Sequence, residues 1–168
     1  ERTLAAPAQV EAALESARLT QRAWRAVPMA ERAAILNRFC DVFESHRDAI
    51  AEELSWQMGR PIRFAPSEVR GTLERARHMI AIAPEALADI DVGPKAGFHR
   101  FLRREPLGVI FTVAAWNYPY LIAVNSVVPA LMAGNVVVLK HSAQTPLCAE
   151  RFEQCLRDAG LPEGTFQT

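Results

Sequence analysis

Asn117 and Lys140 are the residues whose type and placement in this chain suit them best for chemistry. Each follows an apolar, β-branched run. Val109-Ile110-Phe111-Thr112-Val113 leads through Ala114-Ala115-Trp116 into Asn117, and Val136-Val137-Val138-Leu139 ends in Lys140. The first run, bounded by Gly108 and Pro119, reads as a buried parallel-type strand rather than a helix, and Val136 to Leu139 reads as a second strand. Open α/β sheets bind ligands beyond the carboxyl ends of such strands, which is where both residues fall. The Asn117 amide offers two N–H donors and one acceptor without a charge to desolvate, so it can stabilise a developing oxyanion. The Lys140 ammonium suits the ribose or phosphate of a bound cofactor. Each residue also has a plainer reading. Asn before an aromatic and Pro bends a chain, an edge lysine is simply solvated, and Trp116 packs as a core or lid aromatic. The functional reading rests on finding Asn117 and Lys140 at the ends of two adjacent predicted strands.

The other reactive side chains form no constellation. His46, His78, His99 and His141 are dispersed, with no His-x-x-x-His spacing, so no metal site is expected. Ser142 follows His141 but lacks the Gly-x-Ser-x-Gly elbow of a serine nucleophile. Cys40, Cys148 and Cys155 make no Cys-x-x-Cys pair and are too few for a disulfide framework. They read as buried small hydrophobes in a protein of a reducing, cytoplasmic compartment; Cys148 and Cys155, seven residues apart, share a helix face.

Bulk composition excludes several function classes. The chain has 168 residues, 50% hydrophobic, enough for one domain with a sizeable core. Nineteen basic residues balance nineteen acidic ones, and no basic run carries interleaved aromatics, so a nucleic-acid partner is not expected. The most apolar region, Leu121 to Leu139, is interrupted by Asn125, Pro129, Gly134 and Asn135, which argues against a membrane span. The chain opens at Glu1 without methionine and stops at Thr168 as a β-type run begins, so it reads as part of a longer protein.

The elements that must position Asn117 and Lys140 follow from periodicity. Helical spacing predicts helices over Pro7 to Arg25, through Ile35 to Phe43, and from Ile50 to a stop at Gly59. A further helix is expected from Pro66 towards Ile82, stopped by Pro84, with a short piece through Leu87. After the turn-rich Asp91 to Gly97, Phe98 to Arg104 alternates like a half-exposed strand. From Leu107 the pattern becomes strand Val109–Val113, helix from about Tyr120 to Met132, strand Val136–Leu139, a helix ending near Gly160, and a strand beginning at Thr165. The expected fold class is α/β. An N-terminal helical layer is followed by a βαβαβ half of a Rossmann-like cofactor domain, cut inside its last strand. The corresponding divisions are residues 1–96, helical part of the cofactor-binding domain; 97–106, a strand linker of the oligomerisation type; and 107–168, the incomplete βαβαβ half. The Gly-x-Gly-x-x-Gly turn common to dinucleotide folds is missing after the first strand.

Taken in order, several motifs resemble the N-terminal part of the aldehyde dehydrogenase superfamily. They are Ala23-Trp24-Arg25, Met58-Gly59-Arg60-Pro61, Glu105-Pro106-Leu107-Gly108-Val109, Trp116-Asn117-Tyr118-Pro119, Pro129 to Asn135, Val138-Leu139-Lys140, Gln144-Thr145-Pro146 and Ala159-Gly160-Leu161-Pro162. Within the family the chain is most similar to the bacterial succinate-semialdehyde dehydrogenase type. The resemblance implies NAD(P)-dependent oxidation of an aldehyde to a carboxylic acid through a cysteine thiohemiacetal whose oxyanion is stabilised by Asn117. It implies that Val113, Ala114, Ala115 and Trp116 line the cofactor channel, that Lys140 holds the adenosine ribose, and that Tyr118, Leu121, Ile122 and Asn125 line the aldehyde tunnel. It also implies a cofactor bound without the glycine motif, NAD or NADP as that cofactor, and a homo-oligomer. Ala143 departs from the many members that carry Glu there, which removes a carboxylate able to bond the ribose hydroxyls and repel a 2′-phosphate. The family's cysteine nucleophile and glutamate base would lie beyond Thr168, so the 168-residue chain alone is expected to be inactive. The competing expectation is a non-catalytic truncated paralogue or remnant acting as an association module through exposed strand edges.

Overall fold

The computed structural model of the chain describes residues 3–168. Four helices come first: α1 (Pro7–Trp24), α2 (Met29–Ser45), α3 (Arg47–Met58) and, after a 3-10 turn at Ile62–Phe64, α4 (Ala65–Ala86). Gly59 ends α3 at φ +72°, a conformation that side chains with a Cβ rarely adopt, and this redirects the chain at Arg60. A two-residue hairpin follows, with β1 (Ile90–Asp91) antiparallel to β2 (Phe101–Leu102). The α/β half consists of β3 (Val109–Val113), α5 (Pro119–Met132), β4 (Val136–Lys140), α6 (Pro146–Asp158) and β5 (Phe166–Gln167). Its three strands are parallel in the order β3-β4-β5.

Three features differ from the sequence expectations. Helix α4 runs through Pro84 to Ala86 instead of stopping before it: the proline forfeits one bond, to the Ile80 carbonyl, and the helix is closed after it by the Leu87 N–H on the Ala83 carbonyl at 2.9 Å. The strand expected over Phe98 to Arg104 forms a ladder only at Phe101–Leu102, whose partner Ile90–Asp91 lies before the turn, while Phe98 makes an isolated bridge to Lys95. Strand β3 is also not buried on both faces. Thr112 is buried and its hydroxyl meets that of Ser126 on α5 at 2.7 Å, whereas Phe111 and Val113 are each 64% exposed. β3 is an edge strand, and helix α1 lies mainly over β4, leaving those two side chains uncovered.

The core joins the helical layer to the sheet. Phe39 and Phe43 of α2, Tyr120 of α5 and Phe152 of α6 are fully buried and in mutual ring contact, with centroids 5.1–5.9 Å apart. Burying such a side chain contributes about 1.5–3 kcal/mol. The helical layer also satisfies the ends of α5. Trp24 Nε1 donates to the Leu131 carbonyl at 3.1 Å, Arg32 Nε to Met132 at 3.1 Å and Gln21 Nε2 to Gly134 at 3.2 Å. These carbonyls belong to the last turn of α5 or just beyond, where a cation such as Arg32 also opposes the negative end of the helix dipole. Gly134 sits at φ +84°, which strains any side chain with a Cβ, and a Cβ there would also lie 3.3 Å from the Arg25 Cα, a tight contact.

Candidate functional site

The carboxyl edge of the sheet is assembled by the pairing of β3 with β4. Val113 is the register partner of Lys140, and the Ala114 N–H donates to the Lys140 carbonyl at 3.1 Å. The chain then leaves the sheet through Ala115, Trp116 and Asn117 and enters α5 at Pro119, whose missing N–H costs nothing in the first turn. Asn117 is exposed, and its side-chain amide has no hydrogen-bond partner among the described residues. Lys140 is exposed at the end of β4 and forms no ion pair among the described residues. Trp116 is 47% exposed and Ala115 is open, while Ala114 turns inward and is buried. Ala143 is exposed in the turn that follows β4.

The residues expected to line an aldehyde path run from Tyr118, just before α5, along that helix. Tyr118 is half exposed under the Arg60 guanidinium, whose Cζ is 4.6 Å from the ring centroid. Leu121 is half-buried against Gly71 of α4, and Ile122 is more open. Asn125, one turn after Leu121, accepts from Arg75 Nη1 at 3.3 Å and donates to the Leu121 carbonyl at 2.8 Å. Leu121 shares a shallow recess with Gly71, Glu74, Arg75 and His78, whereas a larger recess lies away from Asn117, around Arg157 and Gln167.

Three groups in this region carry roles that the sequence reading missed. Glu68 of α4 is the first. Its Oε1 accepts the Tyr120 N–H at 3.0 Å and the Leu121 N–H at 3.5 Å, and its Oε2 pairs with Arg60 Nη1. Arg60 is the second, with Nη2 donating to the Asn117 carbonyl at 3.0 Å. Burial pushes the Glu68 carboxyl above the ordinary carboxylate range, opposed by the Arg60 guanidinium and the two N–H donors. The available signal was Glu68 itself, a carboxylate on the buried stripe Ala65, Val69, Thr72, Leu73 and Ala76. Gln57 of α3 is the third: its Oε1 accepts the Leu147 N–H at 2.9 Å in the first turn of α6.

These contacts bear on the absent glycine motif, because they occupy first-turn N–H groups of α5 and α6. In a dinucleotide fold, free N–H groups at the helix N-terminus receive the diphosphate. Here α5 starts with Pro119, Glu68 takes Tyr120 and Leu121, and Ile122 donates to the Tyr118 carbonyl. Helix α6 starts with Pro146, Gln57 takes Leu147, and Cys148 donates to the Thr145 carbonyl. Both helix ends at this edge are closed from within, so a diphosphate has no free first-turn donors to use there.

His141 ties the two strand ends together. Its Nδ1 accepts the Ser142 N–H at 2.9 Å and meets the Thr145 hydroxyl at 3.1 Å, which leaves the proton on Nε2 to donate to the Pro119 carbonyl at 3.3 Å. Burial, reinforced by the nearby Lys140 charge and opposed by the Pro119 carbonyl, lowers its pKa. Ser142 meets this ring only through its backbone, which is not a nucleophile–base arrangement. All three cysteines are free and buried, and burial raises their thiols, Cys40 to about 11 and Cys148 and Cys155 to about 12. Among the described residues no group of three or more His, Cys, Asp or Glu could hold a metal ion, and no helix is long and apolar enough to cross a membrane.

The profile of the aldehyde dehydrogenase family matches residues 1–168. A probable NADP(+) succinate-semialdehyde dehydrogenase of Synechocystis sp. is 38% identical over 160 residues, covering 95% of this chain and 35% of that protein. Among solved structures, a succinic semialdehyde dehydrogenase from Streptococcus pyogenes in complex with NADP+ superposes with a TM-score of 0.90 at 28% identity, covering 99% of this chain and 37% of that one. PnpE in complex with nicotinamide adenine dinucleotide gives 0.89 at 31% identity, covering 95% and 33%. The chain thus spans about a third of the length of the relatives it matches.

Proposed function

Because the chain belongs to the aldehyde dehydrogenase family, we propose that it supplies the oxyanion donor and part of the cofactor site of an enzyme that oxidises an aldehyde to a carboxylic acid with NAD or NADP. The activity is proposed for a protein of the relatives' full length. The observation that carries the reading is the exposed, unpartnered Asn117 amide, one turn beyond the β3 end and beside the Lys140 strand. When a thiolate adds to an aldehyde carbon, the carbonyl oxygen takes on negative charge, and the Asn117 Nδ2–H groups are available to donate to it. A neutral amide does this without attracting a competing counter-ion. The thiolate comes from outside this chain, since Cys40, Cys148 and Cys155 are buried with raised pKa values.

The strand edge fits a nicotinamide cofactor. Lys140 offers an unpaired ammonium for the adenosine ribose; Val113, Ala115 and Trp116 present an open wall, with Ala114 contributing backbone. Ala143 leaves space where a carboxylate would oppose a 2′-phosphate. When bound, the cofactor supplies the hydride acceptor. Tyr118, Leu121, Ile122 and Asn125 face the aldehyde. Residues 1–96 and 107–168 together form the cofactor-binding part. Residues 97–106 contribute an oligomerisation-type strand whose exposed Phe101 and Leu102 fit a homo-oligomer. Three free cysteines fit a reducing compartment, taken as the cytoplasm.

The test is an assay of the full-length protein with a dicarboxylic semialdehyde and a neutral aldehyde of equal length, each with NAD and NADP. Cofactor reduction that depends on aldehyde is the expected result. Its absence with every pairing overturns the reading.

A further inference from the structure

An ion pair buried behind the Asn117 turn calls for an explanation beyond stability, because replacing such pairs by packed apolar groups is often neutral or stabilising. Glu68 has a side chain 0% exposed and Arg60 one that is 11% exposed. Their bonds diverge in a specific direction. Glu68 reaches the Tyr120 and Leu121 N–H groups, while Arg60 reaches the Asn117 carbonyl and lies over the Tyr118 ring. The flanks of the turn are fixed independently, by the Ala114 N–H on the Lys140 carbonyl and by His141 on the Pro119 carbonyl. Among the described residues, the Arg60 bond is the one hydrogen bond made by the backbone of residues 115–117.

The Asn117 amide has no protein partner, so the backbone that carries it is what the protein itself fixes, setting the point and direction from which the side chain departs. A donor aimed at a developing oxyanion must be held closely, since misplacement by about 1 Å can cost on the order of 100-fold in rate. We propose that Arg60, buttressed by Glu68, is the positioning residue for Asn117: its bond to the Asn117 carbonyl fixes the peptide from which the oxyanion-stabilising amide projects. The proposal rests on the reading of Asn117 as the oxyanion donor. It divides the labour within the clamp. Glu68 closes the α5 N-terminus and orients the guanidinium, and Arg60 transmits that order across the turn.

Arg60→Lys tests this without stranding the buried carboxylate, because one ammonium can still pair with Glu68 but lacks the fork that spans to the Asn117 carbonyl. In the 168-residue chain, 15N relaxation should show order parameters at residues 116–118 falling from about 0.85 to below about 0.6, with β3, β4 and α5 unchanged. In the full-length enzyme, Arg60→Lys should lower kcat about 10-fold while KM for aldehyde and cofactor stays within about twofold. Combined with Asn117→Ala it should cause no loss beyond that of Asn117→Ala alone. Unchanged order at 116–118, loss of order throughout the sheet, or fully additive kcat losses would each overturn the proposal. Full turnover in Asn117→Ala would instead remove the oxyanion reading, and the relaxation measurement would still decide whether Arg60 holds the turn.

Discussion

Val113 and Lys140 are register partners at the last rung of the β3–β4 ladder, and the Lys140 carbonyl receives the Ala114 N–H at 3.1 Å. That rung fixes where two chemically different groups emerge. One strand continues into the neutral amide of Asn117, and the other ends at a cation. His141 then bonds the Pro119 carbonyl from the residue after Lys140, so the two exits are tied a second time. The edge carries an amide beyond the end of one strand and an ammonium at the end of its neighbour, and both helix N-termini beside it are closed by Glu68 and Gln57.

Asn117→Ala in the full-length enzyme should reduce turnover on the order of 100-fold or more, with little change in aldehyde KM or in thermal stability. The amide is exposed and bonds nothing in the protein, so its removal strands no buried group. Asn117→Asp should be at least as slow, because a carboxylate repels the oxyanion that the amide attracts. Steady-state kinetics and a melting curve for each variant check this. Turnover within about threefold of the parent, which is less than 1 kcal/mol of transition-state stabilisation, would rule out an oxyanion role.

The α/β half was legible because its signals are local. Apolar runs with turn residues at both ends located β3, β4, α5 and α6 to within a residue or so, and the Asn117 and Lys140 positions followed. What escaped was long-range. Nothing near Glu68 in the chain announces that its carboxylate bonds the N–H of Tyr120, 52 residues away, and Gln57 reaches Leu147 over a separation of 90. A carboxylate on the apolar stripe of α4 was the visible trace of that contact. The exposure of Phe111 and Val113 was hidden for a related reason, since a β-branched run reads the same in an edge strand as in a central one.

Ala143 should govern cofactor choice. The turn after β4 is open, and no carboxylate stands there to bond the ribose hydroxyls or repel a 2′-phosphate. Ala143→Glu is expected to lower the ratio of NADP to NAD kcat/KM at least about 10-fold, and Lys140→Ala to weaken both cofactors. Fluorescence titration and kinetics with each cofactor measure this. A parent preference for NAD above about 100-fold would show that Ala143 does not decide the matter.

His141 should make the fold acid-sensitive. Its folded pKa lies below the ordinary histidine value, so the unfolded chain binds the proton more readily. The stabilising contribution is fully present above about pH 6.5 and is lost as pH falls through the folded pKa. Urea unfolding of the parent chain and of His141→Gln at about pH 7.5 and about pH 5.5 isolates this effect, because glutamine can still donate to Pro119 but does not titrate. The parent should lose more stability on acidification than the variant. Equal losses would mean that the titration of His141 is not coupled to folding.

The 168-residue chain alone should show no dehydrogenase activity, and the argument lies in its thiols. Cys40, Cys148 and Cys155 are each 0% exposed, and burial raises them to about 11, 12 and 12. A folded-state thiol raised in this way stabilises the protein fully below the unfolded value of 9.0 and loses that effect as pH climbs towards the folded one. Near neutrality, then, the fold suppresses the thiolate that would have to attack an aldehyde. A disulfide-exchange reagent at about pH 8 should leave all three cysteines unmodified in the folded chain and label all three in denaturant. Assays of the chain with several aldehydes and both nicotinamide cofactors should stay at background. Rapid labelling of one cysteine in the folded chain, together with turnover abolished by Asn117→Ala, would identify that cysteine as a nucleophile and overturn the prediction.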